Sequence, residues 1–223
     1  MPITVAQYRP FVAEGYRADA HRFWTTNGWE WKVKNNCTQP WRWGEANSRQ
    51  PQQPVVGVSW YEASAYCNWL AAQLTSNISS DLIMRLPTEA EWEAAAAFDR
   101  NGIRTSYPWG HEAPQPALAD YDREWAAGPL PVGGRPRGAA ACGAIDLVGT
   151  VWELTSSSYK AYPDQAATPV KGFTTNEYIN SYRGGAYWHN SAYVRCGARN
   201  RFYPNDSSGD GGLRIVVAPR LNR

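Results

Sequence analysis

The sequence predicts an α+β fold, on three observations. Capping boxes open three helices in the stretch ending near Glu93. Helical periodicity stops at about Phe98, and Gly, Pro and short apolar pieces take over. Strand-like runs appear only in the last third of the 223 residues. Helices first and small strands later describe segregated α and β layers rather than alternating βαβ units.

Each element has a local reason. In Thr4-Val5-Ala6-Gln7 a hydroxyl and a glutamine amide can satisfy each other's orphan backbone N–H groups, and Tyr8, Phe11 and Val12 follow at helical spacing. Ser59-Trp60-Tyr61-Glu62 repeats the device ahead of Ala63, Tyr66, Cys67, Leu70 and Leu74, which share one face. Thr88-Glu89-Ala90-Glu91 is the third, leading into Trp92, Ala95 and Ala96. Tyr107-Pro108-Trp109-Gly110 and the run from Pro129 to Gly134 read as ordered turns. The strand candidates are Val148–Leu154, Tyr182–Trp188 and Leu213–Ala218. With no internal repeat and no low-complexity linker, the expectation is one domain over residues 1–223.

Composition narrows the function classes. Twelve Trp and thirteen Tyr imply large amphipathic rings in core and surface. A net charge of +2 is too mild to argue for nucleic acid. No apolar run approaches the roughly 20 residues of a membrane span, and Met1-Pro2-Ile3-Thr4 lacks a signal-peptide pattern. The compartment stays open, and a monomer is expected. Cys37, Cys67, Cys142 and Cys196 lie far apart, which favours reduced thiols over a disulfide framework. Three histidines are too scattered for a metal cluster.

The densest information lies between Arg183 and Arg214. This stretch has no Lys, Glu, Gln, Met, Ile or Thr. Tyr, Asn, Ser, Gly, Asp and Ala fill it, spaced by arginines, which is close to the palette of a binding paratope.

Several motifs in order resemble the formylglycine-generating-enzyme (sulfatase-modifying factor) family: Pro2–Tyr8, Pro54–Ala63, Arg85–Glu93, Tyr107–Gly110, Asp146–Glu153, Arg183-Gly184-Gly185 and Gly212-Leu213-Arg214. The resemblance implies a C-type-lectin-like fold, with a small twisted antiparallel sheet, two main helices and long ordered loops. The family's oxidases use two cysteines after the Arg-Gly-Gly to bind copper, and here that stretch offers only Cys196. Its iron-dependent sulfoxide synthases need a His cluster from a further helical domain, which this chain lacks. The expectation is therefore that the chain is not an enzyme and requires no cofactor. Glu153 aligns with the family's calcium region, so it is a candidate structural calcium ligand.

Within the family, the chain resembles the variable proteins of diversity-generating retroelements. There, errant copying of template adenines scatters substitutions at Asn codons, which cannot yield Lys, Glu, Gln, Met or Trp. The residues that look substituted are Tyr187, His189, Ser191, Ala192, Tyr193, Gly197, Ala198, Asn200, Phe202, Tyr203, Asp206, Ser208 and Asp210. They are expected to form an exposed face for an unidentified ligand, a protein or cell-surface molecule. The structural alternative for the aromatics is ordinary core, and for Asp206 and Asp210 a turn. The functional alternative is a formylglycine-generating-enzyme-like oxidoreductase, or an inactive member of that family.

Overall fold

A computed structural model describes residues 1–74, 79, 81–159 and 180–219. The elements in order are α1 (Val5–Gly15), α2 (Thr26–Lys34), α3 (Trp60–Gln73), β1 (Leu82–Arg85), α4 (Glu89–Ala97), β2 (Trp152–Ser158), β3 (Asn180–Arg183), β4 (Arg199–Phe202), β5 (Gly211–Leu213) and β6 (Val216–Pro219). Thr4, Ser59 and Thr88 cap α1, α3 and α4, each with both halves of the capping box formed. The three predicted helix starts therefore stand where the sequence placed them.

The strands differ from expectation. The main sheet has the order β4-β3-β2-β5, and a second sheet pairs β1 with β6. β3 runs antiparallel to β2 and β4, but β5 pairs with β2 in parallel, Glu153 opposite Gly212. The sheet is thus not wholly antiparallel. The predicted Leu213–Ala218 run splits into β5 and β6, which join different sheets.

Two cores hold the layers together. The larger gathers Tyr8, Phe11, Trp24, Tyr66 and Trp69 with Trp152, Leu154, Tyr182 and Leu213. Its rings meet edge-to-face or offset, as Tyr8 does on Phe11 at 5.2 Å and on Tyr66 at 4.8 Å, geometries that add to plain area burial. The smaller core packs Trp92, Ala96 and Ala97 against Leu147, Val148, Val194 and Cys196.

Buried arginines staple the irregular chain. Arg183, wholly buried, bonds Glu89 at 3.1 Å, Glu93 at 2.6 Å and the Cys196 carbonyl at 2.8 Å. Arg199 adds a second pairing to Glu89 at 2.7 Å. Arg214 forks onto Glu153 at 2.9 and 2.8 Å and also reaches the Ile145 carbonyl. The Arg-Gly-Gly motif has a steric reason as well. Gly184 and Gly185 have φ of 95° and 76°, and a Cβ on them would stand 2.3 Å from the Leu147 carbonyl oxygen and 2.5 Å from that of Tyr193. Only glycine permits that approach.

Candidate functional site

The residues after Gly185 leave β3 and form a turn over the sheet. Its centre is a chain of ring contacts. His189 lies 4.2 Å from Trp188, 5.0 Å from Tyr193 and 5.5 Å from Trp152. Trp188 meets Trp125 edge-on at 5.3 Å. The Trp188 indole N–H donates to Asp210 at 2.7 Å, and the Ser208 hydroxyl also donates to that carboxylate. The Ala186 N–H donates to His189 Nδ1 at 3.2 Å, so the ring proton sits on Nε2. Burial lowers the His189 pKa below its ordinary value, with Asp210 opposing.

The thirteen candidate contact residues divide by exposure. Ser191, Ala192, Tyr193, Tyr203 and Asp206 are exposed, and His189, Gly197, Asn200, Phe202 and Ser208 are half-buried. Asn200 and Phe202 sit on the edge strand β4, where the Phe202 ring meets Tyr182 at 4.2 Å. Tyr203 and Asp206 form a turn, closed by the Asp206 carboxylate accepting the Tyr203 N–H at 3.1 Å. Three candidates are corrected. Tyr187 is buried because its ring stacks on Trp125 and its hydroxyl donates to the Trp125 carbonyl at 2.9 Å. Ala198 is buried in the larger core. Asp210 is buried as the acceptor for Trp188 and Ser208.

Sequence reasoning missed the wall opposite Trp188. Asp122, Arg123, Glu124, Trp125 and Trp188 line a shallow cavity of about 680 Å³. The signal was a lone Trp set among charges in Asp122-Arg123-Glu124-Trp125, far along the chain from the variable-looking segment. Inside the sheet, polar atoms lack protein partners: both side-chain polar atoms of Asn180, Ser181 Oγ, Tyr182 Oη and Trp152 Nε1 are buried and unpaired.

The residues present do not fit the metals that the family implies. Cys196 is buried, its thiol donates to the Ala96 carbonyl at 3.1 Å, and burial pushes its pKa up to about 12. A copper thiolate pair needs two accessible thiols, and the stretch from Arg183 to Arg214 holds no second cysteine. Among the described residues, no group of three His, Cys, Asp or Glu is placed to hold a metal ion. Glu153 is corrected too. It is fully buried, and its oxygens accept from Arg214 and from Trp92 Nε1 at 2.6 Å. Both Glu153 oxygens are therefore already engaged by protein donors.

A C-type-lectin-like frame whose turns are stapled by buried Arg–Glu pairs defines the class of this protein. The chain belongs to the family of sulfatase-modifying factor enzyme 1-like domains, whose model matches residues 1–219. It is 34% identical over 237 residues to a hercynine oxygenase of Mycolicibacterium thermoresistibile, covering 97% of this chain and 49% of that protein. It is 28% identical to the formylglycine-generating enzyme of Mus musculus, covering 96% of this chain and 64% of that one. The chain spans about half the length of the hercynine oxygenases it matches. Among solved structures, Treponema denticola variable protein 1 superposes with a TM-score of 0.67 at 20% identity, over 98% of this chain and 82% of that one. PvdO from Pseudomonas aeruginosa superposes with a TM-score of 0.61 at 22% identity, over 76% of this chain and 63% of that one. The expectation that the chain is not an enzyme is overturned: relatives matched along almost all of it are named as enzymes. The missing cysteine pair argues against one chemistry of the family, not against the family's being enzymatic. Among the described residues, no helix is long and apolar enough to cross a membrane.

Proposed function

We propose that this chain is the substrate-binding unit of an oxidoreductase of the sulfatase-modifying class, of the hercynine oxygenase kind. The observation that carries the reading is the 34% identity sustained over 97% of the chain. In this reading the chain binds and orients substrate on the face built by His189, Tyr193 and β4, and residues outside 1–219 supply the redox metal. The half-length match supports that division. His189 offers a fixed Nε2–H donor at the face. The test is calorimetric titration of the chain with hercynine, with His189→Ala and Tyr193→Ala as variants. Saturable binding that either variant weakens is expected. An absence of binding at millimolar hercynine overturns the reading. So does conversion of a sulfatase peptide's cysteine to an aldehyde by the copper-treated chain, which would favour the formylglycine-generating chemistry.

One observation favours a second reading, that the same face is a diversified binding surface. Between Arg183 and Arg214 the residue types unreachable from mutated Asn codons are absent, apart from Trp188. The ligand would then be a protein or cell-surface molecule. A near-repeat of the coding DNA that differs only at template adenines, beside a reverse transcriptase gene, is the expected signature. A genome without it sinks this reading.

A further inference from the structure

Across the face from Tyr193, the loop after Tyr121 carries two carboxylates that do nothing for the fold. Asp122 and Glu124 are exposed, and no side-chain hydrogen bond or ion pair engages either among the described residues. Their neighbouring cations are already committed. Arg123 turns inward to the Gly128 carbonyl at 2.8 Å and to buried Asp120 at 3.4 Å. Arg42 pairs with Glu45 at 2.6 Å. Two partly exposed indoles line the same cavity as the carboxylates, Trp125 at 39% and Trp188 at 41%, set at 90° to each other.

The groove is built rigid. The Asp122 N–H donates to the His189 carbonyl at 2.9 Å, and the Arg123 N–H donates to that of Tyr187 at 3.0 Å, zipping one wall to the other. The Asn47 amide donates to the Ala126 carbonyl at 3.2 Å. Asp122 is held at φ 55°, a left-handed backbone that costs free energy in any residue but glycine. Walls held this firmly lose little entropy on binding. The chain also shows what Trp125 accepts, since the Arg42 guanidinium lies 5.1 Å from its ring centroid.

We propose that this groove receives an arginine side chain of a protein partner, its guanidinium stacked against the Trp125–Trp188 corner and forked onto Asp122 and Glu124. A planar guanidinium meets both requirements at once, because it stacks on indole and donates bidentately to carboxylate. An ammonium is a compact, strongly hydrated charge and meets them less well. A phosphate-bearing ligand would face two unpaired negative charges. The inference stands apart from the oxygenase reading, since hercynine binding neither requires nor excludes it.

The test uses the purified chain and three small probes: N-acetyl-arginine N-methylamide and its citrulline and lysine counterparts. Binding is followed by the indole N–H signals of Trp125 and Trp188, assigned with Trp125→Phe and Trp188→Phe. The arginine probe is expected to move both signals saturably. The neutral citrulline probe, and the arginine probe on Asp122→Asn/Glu124→Gln, should bind roughly tenfold more weakly. Asn tolerates the left-handed backbone at position 122, so the double variant keeps the fold. Three outcomes each overturn the proposal: equal binding of citrulline and arginine, equal binding of lysine and arginine, or undiminished binding by the double variant.

Discussion

At the scale of single residues, protonation behaviour follows from what each group touches. His189 accepts the Ala186 N–H, and burial holds its pKa below 6.5. A histidine depressed in the fold stays neutral while the unfolded chain takes up a proton, so stability falls as pH drops through about 6.5. An NMR titration should therefore place the His189 midpoint below 6.5, and His189→Gln should flatten that limb of the stability profile. Glu91 is a lowered carboxylate. Arg85 donates to it at 2.6 and 2.7 Å, and the Thr88 cap adds to this, bringing its pKa to about 2 from 4.5. Its contribution is complete above about 4.5 and is lost as pH falls towards 2. Denaturant midpoints of Glu91→Gln should vary less than the parent's over that window, with a modest amplitude because the pair is partly solvated. Among the thiols, exposed Cys142 should react with an aromatic disulfide reagent at pH 8, whereas Cys67 and Cys196, both raised to about 12 by burial, should react only after denaturation.

Elements whose signal is local were legible in the sequence. The three capping boxes marked their helices because both partners lie within one turn. α2 carried no such mark: Thr25 caps it alone, with Gly28 where a Glu or Gln would complete the box. β4 reads Arg-Asn-Arg-Phe, without apolar alternation, and exists because its backbone pairs with β3 and Arg199 pairs with Glu89. Glu89, Glu91 and Glu93 read as favourable charges at a helix start. Only the fold shows Glu89 and Glu93 meeting Arg183 from more than eighty residues away in sequence. Removing one partner of a buried pair strands the other, so Glu89→Ala should cost about 3–5 kcal/mol. Guanidinium unfolding would show this, and a loss below about 1 kcal/mol would mean that water takes the place of Glu89.

For the molecule as a whole, the frame and the face should separate under mutation. Ser191, Tyr193 and Tyr203 are exposed, and each exposed substitution away from caps and buried networks should shift stability by about 0.5 kcal/mol or less. Replacing all three should leave the melting temperature near the parent's. Tyr187 belongs with the frame, and Trp152→Ala, which empties a wholly buried site, should cost on the order of 3–5 kcal/mol. A collapse of the triple variant in thermal melts would mean that these side chains hold the fold together.

By itself the sequence determined the α+β class, the three capped helices, the family and the segment that forms the turn over the sheet, because each rests on residues near one another or on ordered motifs. Tertiary structure alone decided which of those residues reach solvent. Tyr187 and Tyr193 belong to the same residue type and lie six positions apart, yet one is sealed beneath Trp125 and the other stands half in water. Trp125 comes from a loop more than sixty residues earlier. The physical reason is that burial and ion pairing depend on what the rest of the chain brings alongside, and no spacing within the segment encodes that partner.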